Sequence, residues 1–409
     1  MPKKERIIWI DQIKALAFIF VILGHMAIDS TPKSWIYAFH MPLYLFVHGA
    51  TLNVEKIYNT DFKSFFLKHF QHSVVPFFWL NFIMLFFRTV WHAFILGGKY
   101  TIGEHIKGIF VVNGGLVPLP SSELYFVMML FISDLVFWFI IRLAKKDYVK
   151  ILGLLTILST ISLMTQGKSM PFRINTIPAT MLQIFIGRLL MDVYLEKREK
   201  LENMKLPLYI ALTVGFGAIG TALWKYNGRY SLAGNKYGKE FVIAVVCAAF
   251  LTVSIAMFVM KLPKMKLIVE IGQNTLFYLG THQFFITVLG RIFKPYTKEL
   301  WYSLIMSVVI FFALYPLAKL CKRFCPFILG VPLGEDTKGT IAGKIICIAI
   351  CVAMPTYWFA GRFLGIGTIS MKLTAVVIYV ALCVAAYITF EYLPFFYIQK
   401  KPRPKTIEY

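Results

Sequence analysis

Three ionisable side chains interrupt long apolar segments of the sequence and are its first candidates for chemistry. His25 follows the apolar run ALAFIFVILG, Glu123 opens a second apolar segment, and His282 lies within a third. Ionisable groups at membrane depth are costly and usually face a cavity or a partner. Imidazoles titrate near neutral pH and serve as general bases or nucleophiles, and a carboxylate can orient such an imidazole. These residue types favour acid–base or nucleophilic chemistry in an apolar setting.

The first apolar segment carries two such groups on one helical face. Lys14 and His25 are eleven residues apart, which at about 100° per residue is only about 20° more than three full turns, so both face the same way. The helical rise separates them by about 16 Å along the axis, so they lie at different depths. Asp11 stands three residues before Lys14, and a local ion pair would explain both charges without chemistry. His25 has no such local partner.

Depth counting brings groups from four segments to one level. The turn 29–37 is short, which predicts that the first two segments are adjacent and antiparallel and that His40 lies near the depth of His25. His282 lies about 22 Å from the start of its segment at residue 267, and Glu123 starts its segment at the same side. Helix-capping roles for His40 and Glu123 are the alternative. Four groups at one level predict a polar chamber on the outer side of a membrane.

The composition identifies the elements that hold these groups. Of 409 residues, 58% are hydrophobic and only 15% are charged, with a mean hydropathy of +0.68. A span needs roughly 20 mainly apolar residues, which predicts an all-α transmembrane helical bundle of about 12 spans. The candidates are 9–28, 38–52, 75–96, 123–143, 150–165, 178–195, 206–224, 241–260, 267–290, 301–320, 341–361 and 373–393.

The charge pattern orients this bundle. The chain has 43 Lys and Arg against 20 Asp and Glu, a net charge of +23. The cations fall in short clusters between apolar runs, which is typical of membrane proteins rather than of nucleic-acid binding. With the N-terminus inside, 26 cations lie in inner segments and 14 in outer ones. We therefore expect both termini in the cytoplasm, a lipid environment and no nucleic-acid partner.

Other polar groups within the spans favour structural pairing. Arg188 and Asp192 are four residues apart on one helix and should neutralise one another. Arg88 and Asp134 lie on neighbouring spans and are predicted to pair across them. The six cysteines include no CxxC motif, so we expect neither a metal nor a disulfide.

The inner segment 53–74 mixes cations and histidines with phenylalanines. Lys68, His69 and His72 alternate there with aromatic residues. This pattern is typical of an amphipathic helix at the membrane interface. A cationic, aromatic entrance for a phosphate-bearing nucleotide cofactor is the alternative.

The ordered segments IDQIKALAFIFVILGH, FHMPLYLFVHGATLN, SELYFVMMLF, NGRYSLAGNKYGKEF and IGQNTLFYLGTHQFF resemble the acyltransferase-3 family of integral membrane O-acyltransferases. FHMPL followed by Gly is the most specific of these segments, and the D-x-x-[RK]-x10-H pattern of the first span supports it. The resemblance covers roughly residues 6–325. It implies a ten-helix acyltransferase core over 1–325, with a linker, two extra spans and a short basic tail over 326–409.

The resemblance implies transfer of an acyl group, often acetyl, from cytoplasmic acetyl-CoA or another acyl-CoA to a hydroxyl of an extracytoplasmic glycan or related acceptor. Such a protein would lie in the bacterial cytoplasmic membrane and modify the cell envelope. His25 falls on the family's catalytic histidine, and Lys14 on a cation that is often Arg. The resemblance leaves Glu123 and His282 to orient the imidazole or stabilise the intermediate.

Substrate contacts follow from the same resemblance. A basic R-x-x-R-like element of the family falls on KHFQH, where His69 and His72 stand at the positions of the expected arginines. This departure from the family pattern leaves Lys68 as the substitute cation for binding the phosphates of acyl-CoA. His40, Tyr230 and Asn235 are candidates for binding the acceptor. Tyr230 and Asn235 lie in the outer loop 225–240, and the alternative for this loop is a connection between spans with no role in binding. A proton-coupled transporter or exporter of a glycan or lipid-linked intermediate would use the same buried groups as a proton relay, and a membrane scaffold would need no converging layer.

Overall fold

The computed structural model describes residues 6–26, 30–92, 102–228, 230–232 and 234–330, and predicted spans eleven and twelve lie outside these residues. The first half contains α1 (Ile8–His25), α2 (Ser30–Thr51), α3 (Val54–Tyr58), α4 (Phe62–His69), a π-helix (Phe70–Val74), α5 (Val75–Trp91), α6 (Ile102–Val111), a 3-10 helix (Ser122–Leu124), α7 (Tyr125–Leu143) and α8 (Tyr148–Met164).

The second half contains a 3-10 helix (Pro171–Thr176), α9 (Ile177–Glu202), α10 (Leu206–Asn227), strands β1 (Tyr230–Ser231) and β2 (Lys236–Tyr237), α11 (Phe241–Met260), α12 (Lys266–Gln273), α13 (Thr275–Ile292), a 3-10 helix (Lys294–Tyr296), α14 (Leu300–Phe324) and a 3-10 helix (Pro326–Leu329). The two short strands pair antiparallel, with Tyr230 opposite Tyr237.

Seven helical segments of the described chain are long and apolar enough to cross a membrane. They confirm the predicted all-α membrane fold, whereas the number of about 12 spans stays a prediction. The seven are Ile8–His25, Phe62–Thr89, Ser122–Leu143, Pro171–Glu202, Leu206–Asn227, Phe241–Met260 and Leu300–Phe324.

Helix α1 lies at the centre of the bundle and contacts α2, α11, α12, α13 and α14. It runs antiparallel to α2, as the short turn predicts. A Cβ on Gly24 would lie 3.5 Å from the Tyr37 ring, and at the other end of α1 the Tyr44 hydroxyl donates to the Lys14 carbonyl oxygen (2.7 Å). The two faces of the bundle can therefore be named by α1 as the His25 end and the Lys14 end.

Reciprocal glycine contacts bring α2 and α9 into backbone contact. A Cβ on Gly49 would lie 1.8 Å from the Ile184 carbonyl oxygen, and one on Gly187 would lie 2.3 Å from the Phe46 carbonyl oxygen. Small residues at a membrane helix interface allow such close approach, which increases van der Waals contact. This interface fixes the position of α2 beside α9.

The predicted span 267–290 is wrong as one continuous helix, because it is broken at Asn274 between α12 and α13. The Asn274 amide side chain donates to the Glu270 carbonyl oxygen (2.6 Å). Asparagine side chains compete with the helical backbone in this way. The preceding Gly272 lets α12 approach α1, since a Cβ there would lie 1.8 Å from the Asp11 carbonyl oxygen.

Candidate active site

His25, Glu123 and His282 meet at the His25 end of the bundle, although three different elements carry them. His25 is the last residue of α1, Glu123 lies in the 3-10 helix before α7, and His282 lies in α13. His25 Nε2 is 3.8 Å from Glu123 Oε1, and the two imidazole centroids are 5.4 Å apart. The convergence that depth counting predicts for these three residues is present in the structure.

Glu123 is buried and held by its neighbour in sequence. The Ser122 hydroxyl donates to Glu123 Oε1 (2.6 Å), and Glu123 Oε2 has no hydrogen-bond partner among the described residues. The position before α7 suits a carboxylate, because the unpaired N–H groups of a helix N-terminus favour negative charge. The carboxylate therefore lies beside His25 with one oxygen still available.

His282 is fully buried in a defined hydrogen-bonding state. Its Nδ1 lies 2.9 Å from the Tyr278 carbonyl oxygen. Because a carbonyl oxygen only accepts, Nδ1 must carry the proton. The Nε2 of a neutral ring is then an acceptor, and it has no hydrogen-bond partner among the described residues. Phe18 packs its edge against the ring, with centroids 5.2 Å apart.

His40 lies near this cluster but is tied to its own helix. It is buried, its Nδ1 donates to the Ile36 carbonyl oxygen (2.8 Å), and its ring packs against Tyr37. Its role in binding an acceptor stays a prediction.

Two adjoining cavities open at the Lys14 end of the bundle, with volumes of about 800 Å³ and 550 Å³. Lys14 borders both cavities. Lys68 and His69 line the larger one, and His72 lines the smaller. The four residues that the sequence predicts for donor binding therefore line two cavities that share Lys14 and Asp134 in their walls.

The smaller cavity extends along α1 towards the histidine cluster. Its apolar wall includes Val21 of α1, Val127 of α7 and Leu279 of α13. Val21 precedes His25 by four positions, Val127 follows Glu123 by four, and Leu279 precedes His282 by three. Each wall residue therefore lies about one helical turn, roughly 5 Å, from one of the reactive side chains. The cavity thus runs from the cationic end to within about one helical turn of the reactive side chains, which do not themselves line it.

Asp134 is clasped by two histidines at the edge of both cavities. One carboxylate oxygen lies 2.8 Å from His48 Nε2 and the other lies 2.9 Å from His69 Nδ1. The predicted pairing of Asp134 with Arg88 is wrong. Asp134 is satisfied by residues on α2 and α4, while Arg88 Nε has no hydrogen-bond partner among the described residues.

The predicted local ion pairs are confirmed. Asp11 lies 3.7 Å from Lys14 Nζ and also pairs with Arg6, while Arg188 pairs with Asp192. Lys14 is therefore both neutralised locally and exposed to the cavities. Within the described ranges, no group of three or more His, Cys, Asp or Glu side chains is arranged to hold a metal.

Tyr230 and Asn235 lie in the β-hairpin at the His25 end, and both are buried. The Tyr230 hydroxyl contacts Gln183 Nε2 (3.0 Å), and the Asn235 amide donates to the Thr165 carbonyl oxygen (2.6 Å). Burial raises the pKa of the Tyr230 hydroxyl well above its ordinary value, so this group stays neutral. These contacts anchor the hairpin to α9 and to the end of α8, and a role in acceptor binding stays a prediction.

Sequence reasoning missed two arrangements. The clasp of Asp134 depends on His48, whose position eight residues after His40 gives no sign of a partner on α7. The second is a buried Arg173 whose guanidinium carbon lies 4.3 Å from the centre of the Tyr125 ring. An arginine in an outer loop is an ordinary feature of a sequence, so neither arrangement left a signal that pattern analysis detects.

Fold and site together define a helical integral membrane protein with an imidazole–carboxylate cluster about one helical turn beyond the end of a cavity that opens among cations. The model of the acyltransferase-3 family, described as an acyltransferase domain, matches residues 7–319. The chain belongs to this family and is a membrane acyltransferase. Searches of curated proteins and of solved structures found no match to the chain.

Proposed function

We propose that the protein transfers an acyl group, acetyl in the first instance, from cytoplasmic acyl-CoA to a hydroxyl of an extracytoplasmic glycan or related acceptor of the cell envelope. The Lys14 end faces the cytoplasm of a bacterial cell membrane in this proposal, and the His25 end faces outward. The observation that carries the proposal is the cavity that runs from the cationic end to within one helical turn of His25, Glu123 and His282.

The chemistry of coenzyme A fits the two parts of the cavity. Its phosphates suit the wider, cationic part, where Lys14 and Lys68 add to Arg6 and Arg188. Cations in a low-dielectric cleft attract and hold such anions. Its uncharged pantetheine arm suits the apolar part beside Val21 and Leu279. The thioester would then meet the imidazole cluster while the nucleotide stays at the cytoplasmic face.

His25 acts as the general base in the proposed reaction. Glu123 faces His25 Nε2 and favours the tautomer protonated there, which leaves Nδ1 free to take the acceptor's hydroxyl proton. The hydroxyl oxygen attacks the thioester carbonyl carbon, a C–O bond forms and the C–S bond breaks. The proton then passes to the departing sulfur, and coenzyme A leaves as the free thiol. An acyl-imidazole intermediate on His25 is the alternative order of the same bond changes.

His282 supports this reaction as an acceptor of a hydrogen bond. Since its Nδ1 proton is held by the Tyr278 carbonyl, its Nε2 has no proton to give to an oxyanion. We assign it the task of accepting a hydrogen bond within the reacting complex and so orienting His25 or the acceptor's hydroxyl.

The domain boundary belongs to the same proposal. Residues 1–325 form the acyltransferase core, and 326–409 form the linker, two further spans and basic tail. The start of that linker contacts the core. Gln71, on the π-helix Phe70–Val74, donates through Nε2 to the Gly330 carbonyl oxygen (3.0 Å).

The test uses full-length protein purified in detergent, acetyl-CoA and a panel of glycosides, with free thiol as the readout. Wild type should release thiol in an acceptor-dependent manner. His25→Ala should lower this rate by about 10²- to 10⁴-fold, the range for loss of a general base. His92, the residue that follows α5, supplies the matched control, and His92→Ala should retain the wild-type rate. Absence of acceptor-dependent thiol release from wild type across the panel contradicts the proposal.

A further inference from the structure

Arg173 is a buried cation that has no counter-charge among the described residues. It lies in the 3-10 helix before α9 and is only 8% exposed. Its guanidinium makes no hydrogen bond or ion pair to any described residue, and its Nε is fully inaccessible. Burying a charged group without a partner costs free energy, because nothing replaces the hydration it loses.

The contacts that Arg173 does make are too weak to explain its burial. Its guanidinium stacks on Tyr125, an interaction that is weaker than the charge-assisted hydrogen bonds of a paired guanidinium. Its backbone adopts φ +50°, following Phe172 at φ +54°, and such left-handed conformations cost free energy in residues other than glycine. By comparison, Arg142 stacks on Trp138 in the same way but also donates to the Ile57 and Thr60 carbonyl oxygens. Arg142 therefore has carbonyl partners in addition to its stacking, and Arg173 has no such partner among the described residues.

The position of Arg173 connects it with the reacting groups. Tyr125, beneath its guanidinium, is two residues from Glu123, which faces His25. The surrounding loops add positive charge. The Lys168 carbonyl accepts from Asn175 of the same 3-10 helix, and the neighbouring Gly167 N–H donates to Asn235 in the hairpin that carries Lys236.

We propose that Arg173, stacked on Tyr125, forms a subsite for an acidic group of the acyl acceptor, a carboxylate or a phosphate, beside the hydroxyl that is acylated. This inference rests on the proposed function, since it names the chemical class of the acceptor. Guanidinium is the group that binds carboxylate and phosphate oxygens through two parallel hydrogen bonds. An acidic acceptor also matches the cations of the hairpin and of the 165–176 loop, which raise its local concentration.

The kinetic test compares matched acceptors in the thiol-release assay. Methyl β-glucuronide is set against methyl β-glucoside, and glycerol 3-phosphate against glycerol, which separates a carboxylate from a phosphate. Arg173→Gln should raise the KM of the preferred acidic acceptor at least about tenfold, as loss of a buried charged partner does. It should leave the KM of acetyl-CoA and of the neutral acceptor within about twofold, and Arg173→Lys should restore part of the loss.

The control variant is Lys298→Gln, which removes an exposed cation from the segment between α13 and α14 at the same end of the protein. It should change the KM of the acidic acceptor by less than about twofold. Equal KM values for acidic and neutral acceptors in wild type overturn the subsite. An equal loss for both in Arg173→Gln also overturns it, because that result is expected of a purely structural arginine.

A binding measurement separates the Arg173 subsite from the proposed acyl transfer. It uses the wild-type protein only, so it depends neither on turnover nor on the folding of a variant. Thermal unfolding of detergent-solubilised wild type is followed with each of the four probes. Stabilisation by an acidic probe and not by its neutral counterpart supports the subsite, even if no thiol is released and the proposed acyl transfer fails. Absence of stabilisation by both acidic probes overturns the subsite, whatever the enzyme does with other acceptors.

Discussion

At the scale of single residues, the candidate site is defined by which atoms have partners. His25 faces Glu123, and Glu123 Oε2 has no hydrogen-bond partner within the described ranges. The same holds for His282 Nε2, which lies in a buried cluster. The residue types and their depths were predictable from the sequence, because helical rise fixes depth. The tautomer of His282 was not, since it depends on a backbone carbonyl one turn earlier in the folded helix.

Replacing Glu123 by Gln tests the proposed orientation of His25. The amide keeps the size of the side chain but removes the charge that stabilises the imidazolium, so kcat for thiol release should fall by at least about 100-fold. The KM of acetyl-CoA should change little. Glu55→Gln, an exposed carboxylate on α3, is the control. A kcat within threefold of wild type would show that Glu123 is only a helix-terminal charge.

Asp134 is expected to contribute to stability rather than to chemistry. Its carboxylate is 5% exposed and satisfies two histidines from two elements. Removing one partner of a buried charged pair costs about 3–5 kcal/mol, so Asp134→Asn should lower the free energy of unfolding by about 3 kcal/mol. The more exposed Asp192→Asn should cost less. Equal losses in thermal or denaturant unfolding would contradict a special role for the clasp.

At the scale of elements, hydropathy locates the helices better than it describes their geometry. The predicted span 241–260 agrees with α11 at both ends, while α2 begins eight residues before its predicted start at residue 38. The break at Asn274 was hidden, because an apolar run looks the same whether it forms one helix or two. The pairing of Asp134 was misjudged for a related reason: the sequence orders the helices but does not show which faces meet.

The α2–α9 interface predicts an effect of added methyl groups. Gly49→Ala and Gly187→Ala each place a Cβ inside backbone contact distance, so the helices must separate, at a cost of about 1–3 kcal/mol. Gly153→Ala is the control, because a Cβ there meets nothing within 4 Å and alanine favours helix. The measurement is the unfolding temperature in detergent. Unchanged stability of both interface variants would mean that α2 and α9 separate without cost.

At the scale of the whole molecule, the charge bias gives the proposed orientation. The net charge of +23 and the excess of cations in the segments on the N-terminal side predict that both termini lie in the cytoplasm. A green fluorescent protein fused after Tyr409 should therefore fluoresce in a bacterial host, and alkaline phosphatase at the same place should be inactive. A fusion after Asn227, in the loop at the His25 end, should give the reverse. Active phosphatase after Tyr409 would contradict the orientation.

The cavity that stops one turn from His25 has a further consequence for energetics. In the proposed reaction the nucleotide phosphates stay at the Lys14 end, an acyl cation equivalent moves outward, and the hydroxyl proton returns inward to the thiol. Each turnover then carries no net charge across the membrane, so the potential, worth about 2.3 kcal/mol per charge at 100 mV, does no work on it. Turnover in proteoliposomes should be the same under potassium diffusion potentials of either sign. The cell could thus acylate its surface at a constant rate while its membrane potential rises or collapses.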